Sequence, residues 1–432
     1  MSYSAEAISL LDRIGAGEGD LLSVRSKGSE YAGVLMPHHE FSHPEVIVIK
    51  LKSGYNIGIA ISNIDHIEVI EKARKRSPSE RGPPAPSGRK ELTIIGTGGT
   101  IASYVDYRTG GVHPALSADD LVSTVPEISD ICSVRADVLF SIYSENMDVE
   151  KWQALASRVA DRLNEGDEGI IIPHGTDTMG YTSAALSFML EVPPRSVILV
   201  GAQRSSDRPS SDAYTNLLSA ARFAVETDAA EVCVLMHGSP SDTTALVHRG
   251  TRVRKLHSSR RDAFKSVNDQ PIAKVDFEGD IEFISKYRQK SPGKVRLLDS
   301  MVEDVALIYF YPGIDPQKFE DLILNHSGIV VAGSGLGHVS SKMVKLLGKA
   351  VENDIPVAMT SQCLYGRVNL NVYDTGRDLI TAGVVPLEDM LPETAYVKMM
   401  WVLGQTSDLK EVGRMMRTDL RGEITERREL DE

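Results

Sequence analysis

The stretch Glu91-Leu92-Thr93-Ile94-Ile95-Gly96-Thr97-Gly98-Gly99-Thr100 decides the fold. Residues 92–96 form a nearly continuous apolar run of strand length, the pattern of a strand buried on both faces of a sheet. The run ends in glycines and a threonine, so a tight turn follows and a hydroxyl is left at the carboxyl end of the strand. Further apolar runs at 169–173, 196–201 and 231–237 alternate with helical stretches at 149–164 and 212–227. Such alternation predicts a mostly parallel sheet covered by helices. Beyond a polar stretch near 265–300, strands at 305–311, 328–332 and 356–360 and a helix at 340–353 predict a second, smaller α/β domain.

Toward the N-terminus the pattern changes. Residues 71–90, EKARKRSPSERGPPAPSGRK, hold no core-forming periodicity and read as a linker. Before them, short β-rich runs at 20–25, 31–36, 45–51 and 56–60 are separated by glycine turns and predict a small β-barrel-like module over residues 1–70. The α/β domains are expected at 91–285 and 300–410. The charged residues from about Asp408, ending in ERRELDE, are expected to form an exposed helix and a frayed tail, and 411–432 are read as a charged tail outside the α/β domains.

With 432 residues, 42% of them apolar and 25% charged, the chain has material for several cores. A formal charge of −13 argues against a basic nucleic-acid clamp. No run of about twenty apolar residues is present, and the polar N-terminus lacks the plan of a signal peptide, so the expected compartment is the cytoplasm, with no membrane contact. Cys132, Cys233 and Cys363 form no CxxC pair and are expected to be buried structural thiols.

Two short patterns mislead. His39-Glu40-Phe41-Ser42-His43 matches HExxH, but Pro37 and Pro44 bracket it and strands flank it, which denies the helix that zinc ligation at that spacing requires; no metal site is expected. The glycines at 96–99 lack both the third glycine of a dinucleotide fingerprint, since Ile101 stands there, and the Gly-Lys-Ser/Thr ending of a P-loop.

Three separate features fit one chemistry when combined. Thr100 follows one strand; His174-Gly175-Thr176-Asp177-Thr178 follows the strand at 169–173; Lys255 lies in Thr251-Arg252-Val253-Arg254-Lys255. A threonine hydroxyl becomes nucleophilic when a neighbouring group takes its proton, and a lysine amine can do so, with Asp177 to orient it or to bind a substrate amine. Taken singly, Thr176 and Asp177 also suit a helix N-cap, and Lys255 a solvated surface charge.

Thr97–Ser103 (TGGTIAS) and His174–Met179 (HGTDTM) resemble the two signature motifs of bacterial-type L-asparaginases and glutaminase-asparaginases, in the same order. The likeness runs from about Glu91 to Gly404, supported by GAQRSSDRPSSDAYTN at 201–216. It implies a two-domain asparaginase-like body, Thr100 as one catalytic threonine, Thr176 with Lys255 as the second hydroxyl and its base, and Asp177 as a ligand for the substrate's α-amino group. It also implies Ser144 as a substrate-binding residue, with Glu145 beside it where many members have glutamine, and Tyr107 as the lid tyrosine. At Gly335-Leu336-Gly337-His338 the chain departs from the family, which commonly carries asparagines there.

A β module and linker ahead of such a body resemble the D subunits of archaeal glutamyl-tRNA(Gln) amidotransferases. That resemblance implies a homodimer that releases ammonia from glutamine or asparagine for an E subunit. The E subunit would hold most of the Glu-tRNA(Gln) and use ATP and Mg; no cofactor is expected in this chain. The competing readings are a stand-alone L-asparaginase and an inactive scaffold.

Overall fold

The structure, a computed structural model, describes residues 3–17, 19–36, 43–51, 56–72, 90–98, 103–106, 111–114, 125, 127–204, 211–241 and 243–425. The N-terminal module is a five-stranded antiparallel sheet in the order Asn56–Ala60, Val46–Leu51, Ser29–Leu35, Leu21–Ser26, Ile64–Glu71. Leu22, Val24, Leu35, Ile47, Ile49, Ile59 and Ile67 share its core. Two elements go beyond the sequence expectation: the last strand, and the helix Ala5–Arg13, which Ser4 caps and whose Leu11 joins the same core. The module is therefore a sheet with a helix on it, because five short strands leave apolar surface that a single amphipathic helix can cover.

The main body is built on an eight-stranded sheet ordered Ile281–Phe283, Ala273–Asp276, Thr244–Arg249, Val232–His237, Ser196–Val200, Gly169–Pro173, Glu91–Gly98, Ser133–Ile142. The last five strands run parallel and the first three extend the sheet antiparallel. Every residue of Gly169–Pro173, Ser196–Val200 and Val232–His237 is buried. The pleat divides them: Ile170 and Ile172 face the helices Val149–Glu165 and Met179–Met189, while Ile171 faces Ala213–Glu226. Val149–Glu165 starts where the Asp148 carboxylate accepts from Lys151 N and stops at Gly166, in the left-handed region at φ 109°.

The second domain is a four-stranded parallel sheet in the order Val305–Tyr309, Gly328–Gly333, Val357–Ser361, Val385–Pro386, with the helix Ser341–Glu352 in its core. The helix Pro392–Gln405 joins the two domains: Val397, Met399, Met400 and Trp401 belong to the large core, and the Trp401 ring stacks on Phe188 at 5.7 Å.

Two expectations are corrected here. The charged C-terminal region is no exposed helix with a frayed tail through residue 425. Leu409–Arg417 buries Val412 and Met416, and beyond it Glu423 is fully buried against Lys398. Charge density misleads because a buried ion pair reads in sequence like two surface charges. Cys132 and Cys233 are buried, but Cys363 is exposed, since it lies in a loop just past a strand end.

Glu91–Gly98 runs two residues past its apolar stretch, and Gly98 sits at a register shift with φ +105°. A Cβ there would lie 2.3 Å from the Ile142 carbonyl oxygen. Gly98→Ala is expected to destabilise the body by at least about 2 kcal/mol, from backbone strain and overlap together. A denaturant melt that leaves the midpoint unchanged would contradict this account.

Candidate active site

Parallel pairing brings the carboxyl ends of Ser133–Ile142, Glu91–Gly98, Gly169–Pro173 and Ser196–Val200 to one edge of the sheet. Open α/β sheets place their sites at this edge. Adjacent strand ends are tied by Thr97, whose Oγ1 donates to the Pro173 carbonyl at 2.8 Å. Gly169–Pro173 then feeds residues 174–178 into the helix Met179–Met189, whose N-cap position is Thr178, with no side-chain cap bond. Thr176 and Asp177 are thus not that helix's caps.

Lys255 arrives from a different element, the short hairpin Val253–Lys255 with Phe264–Ser266. Its Nζ lies 2.8 Å from Thr176 Oγ1 and 2.7 Å from Asp177 Oδ1. The lysine side chain is 13% exposed and the Asp177 side chain 71% exposed. The amine is therefore enclosed with the threonine hydroxyl, while the carboxylate opens to solvent, where a substrate's ammonium group can reach it. The surface-charge reading of Lys255 does not hold.

Ser144 is buried in the short turn Ser144–Asn146 that follows Ser133–Ile142. It packs so tightly on the 174–178 segment that a Cβ on Gly175 would lie 2.6 Å from Ser144 Cβ, and Thr178 Oγ1 donates to the Ser144 carbonyl at 2.6 Å. Glu145 beside it is exposed. The structure thus gathers Thr176, Asp177 and Lys255 and sets Ser144 against the turn that carries Thr176. Thr100 and Tyr107 lie outside the described residues, as do His39 and Glu40 of the HExxH pattern. Among the described residues no group of three or more His, Cys, Asp or Glu is placed to hold a metal ion.

Residues of the quoted stretch 201–216, to which the sequence reading gave no individual role, support the site. Gly201, just past Ser196–Val200, leaves room for Thr176: a Cβ there would lie 2.8 Å from Thr176 Cγ2 and 2.7 Å from Met179 Cε. The Asp212 carboxylate accepts from Gln203 N at 3.0 Å and Arg204 N at 3.1 Å, and Asn216 Nδ2 donates to the Gly201 carbonyl at 2.9 Å. Beside Lys255, Arg254 pairs with Glu393 at 3.3 Å; burial raises the Glu393 carboxyl above its usual range and Arg254 opposes that shift. The Arg254–Glu393 pair joins residues far apart in sequence, so no local pattern announces it. A cavity of about 530 Å³ lies elsewhere, lined by Arg249, Arg288, Asp419 and Arg421 among others, and none of the gathered residues lines it. Chemistry, rather than volume, marks the site.

His174 is fully buried, and burial lowers its imidazole to about 4, against a weaker opposing effect of its bond to the Gly175 carbonyl. That carbonyl only accepts, so Nδ1 carries the proton and donates at 2.6 Å. The ring is neutral.

The comparisons with known proteins agree along the chain. Residues 91–289 match the family described as Asparaginase, N-terminal, residues 304–416 the Glutaminase/Asparaginase C-terminal domain, and residues 16–70 the GatD N-terminal domain. The chain is 56% identical to the D subunit of glutamyl-tRNA(Gln) amidotransferase from Pyrococcus furiosus, over 92% of this chain and 91% of that protein. It is 53% identical to the protein of the same name from Thermococcus kodakarensis, over 96% of each. Among solved structures, the thermostable L-asparaginase from Thermococcus kodakarensis superposes with a TM-score of 0.70 at 33% identity, covering 78% of this chain and 99% of that one. No helix among the described residues is long and apolar enough to cross a membrane.

A pH dependence follows from His174. Its folded pKa, about 4, lies below the ordinary 6.5, so between those values the unfolded chain binds a proton that the folded chain refuses. Stability is therefore lost as pH falls from about 6.5 toward 4, by about 1.4 kcal/mol per pH unit from this group. Urea midpoints across that window should fall less steeply in His174→Gln by that slope; equal slopes would refute the assignment.

Proposed function

This chain belongs to the family of glutamyl-tRNA(Gln) amidotransferase D subunits, and from that premise we propose that it hydrolyses the side-chain amide of glutamine or asparagine through a threonine nucleophile. The ammonia is released for conversion of Glu-tRNA(Gln) to Gln-tRNA(Gln). The observation that carries the reading is the Lys255 amine held at 2.8 Å from the Thr176 hydroxyl and 2.7 Å from the Asp177 carboxylate, at the carboxyl ends of parallel strands.

The roles follow from that arrangement. A substrate's α-ammonium group pairs with the exposed Asp177 carboxylate, which leaves the Lys255 nitrogen facing Thr176. Lys255 accepts the Thr176 proton as the oxygen attacks the amide carbon, and returns it to the leaving nitrogen as the C–N bond breaks. Ammonia departs and an ester remains; water then cleaves the ester and restores the threonine. Thr100 is the other catalytic threonine that the family motif assigns, Tyr107 is the lid candidate, and Ser144 with Glu145 flanks the bound amino acid. Neutral ammonia is useful to an acceptor only before water protonates it, which favours a gated route to a partner.

That partner is the E subunit, which binds Glu-tRNA(Gln) and supplies the chemistry of ATP and Mg to activate the glutamate. This chain's negative charge supports leaving most of the tRNA to the partner. A homodimer of this chain is the expected core of the complex.

Ammonia release from glutamine and asparagine, measured for the chain alone and with its E partner, Glu-tRNA(Gln) and ATP, tests the proposal. Strong stimulation by the partner complex is expected; equally fast hydrolysis alone would favour a free asparaginase, and none in either state a scaffold. Thr176→Ala and Lys255→Met should each lower kcat by roughly 10²–10⁴-fold, the range for loss of a positioned nucleophile or base. Asp177→Asn should act chiefly on KM, and a pure kcat effect would count against its role in holding the α-amino group.

A further inference from the structure

We infer that residues 418–425 form a strap that positions Lys255, so that the C-terminal segment sets the geometry of the catalytic pair. The inference rests on the reading above, in which Lys255 acts as the base. The hairpin that carries Lys255 has only three residues in each strand, yet the amine must stay within hydrogen-bond distance of a threonine 79 positions earlier in the chain. So short a hairpin needs outside support.

The support is at its base. Thr251 and Arg252 are both fully buried. Thr251 Oγ1 donates to the Arg421 carbonyl at 3.0 Å, and Arg252 Nε donates to the Gly422 carbonyl at 2.8 Å. The same guanidinium pairs with the Asp389 carboxylate at 3.3 Å and donates to the Asp389 carbonyl. Asp389 in turn accepts from the Thr425 backbone N–H at 3.0 Å, closing a loop between the hairpin, the second domain and the strap. Val267 N donates to the Arg252 carbonyl at 2.9 Å and links this base to the returning strand.

The strap's own shape depends on Glu423. One carboxylate, with no exposure, accepts from Leu420 N and Arg421 N, folding 420–423 so that the carbonyls of Arg421 and Gly422 face Thr251 and Arg252. It is neutralised by Lys398, also with no exposure, whose Nζ donates to the Thr418 carbonyl at 2.6 Å and the Met416 carbonyl at 3.3 Å. Two charges are taken out of water here, an arrangement that contributes little net stability but penalises every other placement of the segment. Arg252 makes the same demand, since its Nε, buried in the hairpin base, has its acceptor in the strap.

A positioning role and a merely structural one separate in kinetics. In the full chain, Glu423→Gln is expected to lower kcat for amide hydrolysis at least tenfold while KM changes less than threefold. It should also move the pH profile of kcat, because the environment of the base changes and the Asp177 subsite does not. The double variant Lys398→Met, Glu423→Gln removes the stranded buried charge and should regain most of the lost kcat. Thr251→Val, which deletes one hydrogen bond and keeps the volume, should lower kcat several-fold with little change in Tm, and serves if Glu423→Gln fails to fold. Unchanged kcat and pH profile in the folded variants, alongside an inactive Lys255→Met, would overturn the strap while leaving the proposed function intact. Full activity of Lys255→Met would instead overturn the function on which the strap rests.

Discussion

Parallel hydrogen-bonded register is the constraint from which the rest of the molecule follows. Once Glu91–Gly98, Gly169–Pro173 and Ser196–Val200 pair in the same direction, their carboxyl ends emerge together, and the segments leaving them must diverge from one edge. Parallel strands also need crossovers, here helices, which bury both faces and account for strands without polar alternation. A polar group on such a strand has its best place at the end. That is where the threonine-bearing segments lie.

Close approach at this edge is possible because particular positions lack a side chain. Gly175 admits Ser144, Gly201 admits the Thr176 methyl, and Gly98 admits the Ile142 backbone. Each gives up helix and strand propensity, and each permits a contact under ordinary van der Waals distance for a Cβ. The glycine-rich look of the motifs is thus a packing requirement of the site rather than a mark of phosphate binding.

The charged residues divide by partner rather than by number. Asp177 is open to solvent although it pairs with Lys255, whereas Lys398, Glu423 and Arg252 are closed off and saturated by carbonyls, N–H groups and each other. Exposed charge is free to meet a substrate. Buried charge specifies where a segment must lie, and here it joins residues 418–425 to the hairpin that carries the amine.

Much of this was legible along the chain. Apolar runs without alternation declared the parallel sheet, short β-rich runs declared the N-terminal β module, and the HGTDTM motif together with Val253-Arg254-Lys255 brought forward Thr176, Asp177 and Lys255 as candidates. Those are local signals: periodicity, turn chemistry and residue type act within a few positions. The helix Ala5–Arg13, the exposure of Cys363 and the burial of Glu423 were not legible, because each depends on what another segment covers. The sequence by itself determined the fold class and brought forward the candidate side chains of the site. Only the tertiary structure decided that Lys255 is shut in with Thr176 while Asp177 stays open, and that residues 418–425 brace the lysine's hairpin. Burial and hydrogen bonding between residues tens to hundreds of positions apart are properties of the packed chain, and they have no signature in any single stretch of it.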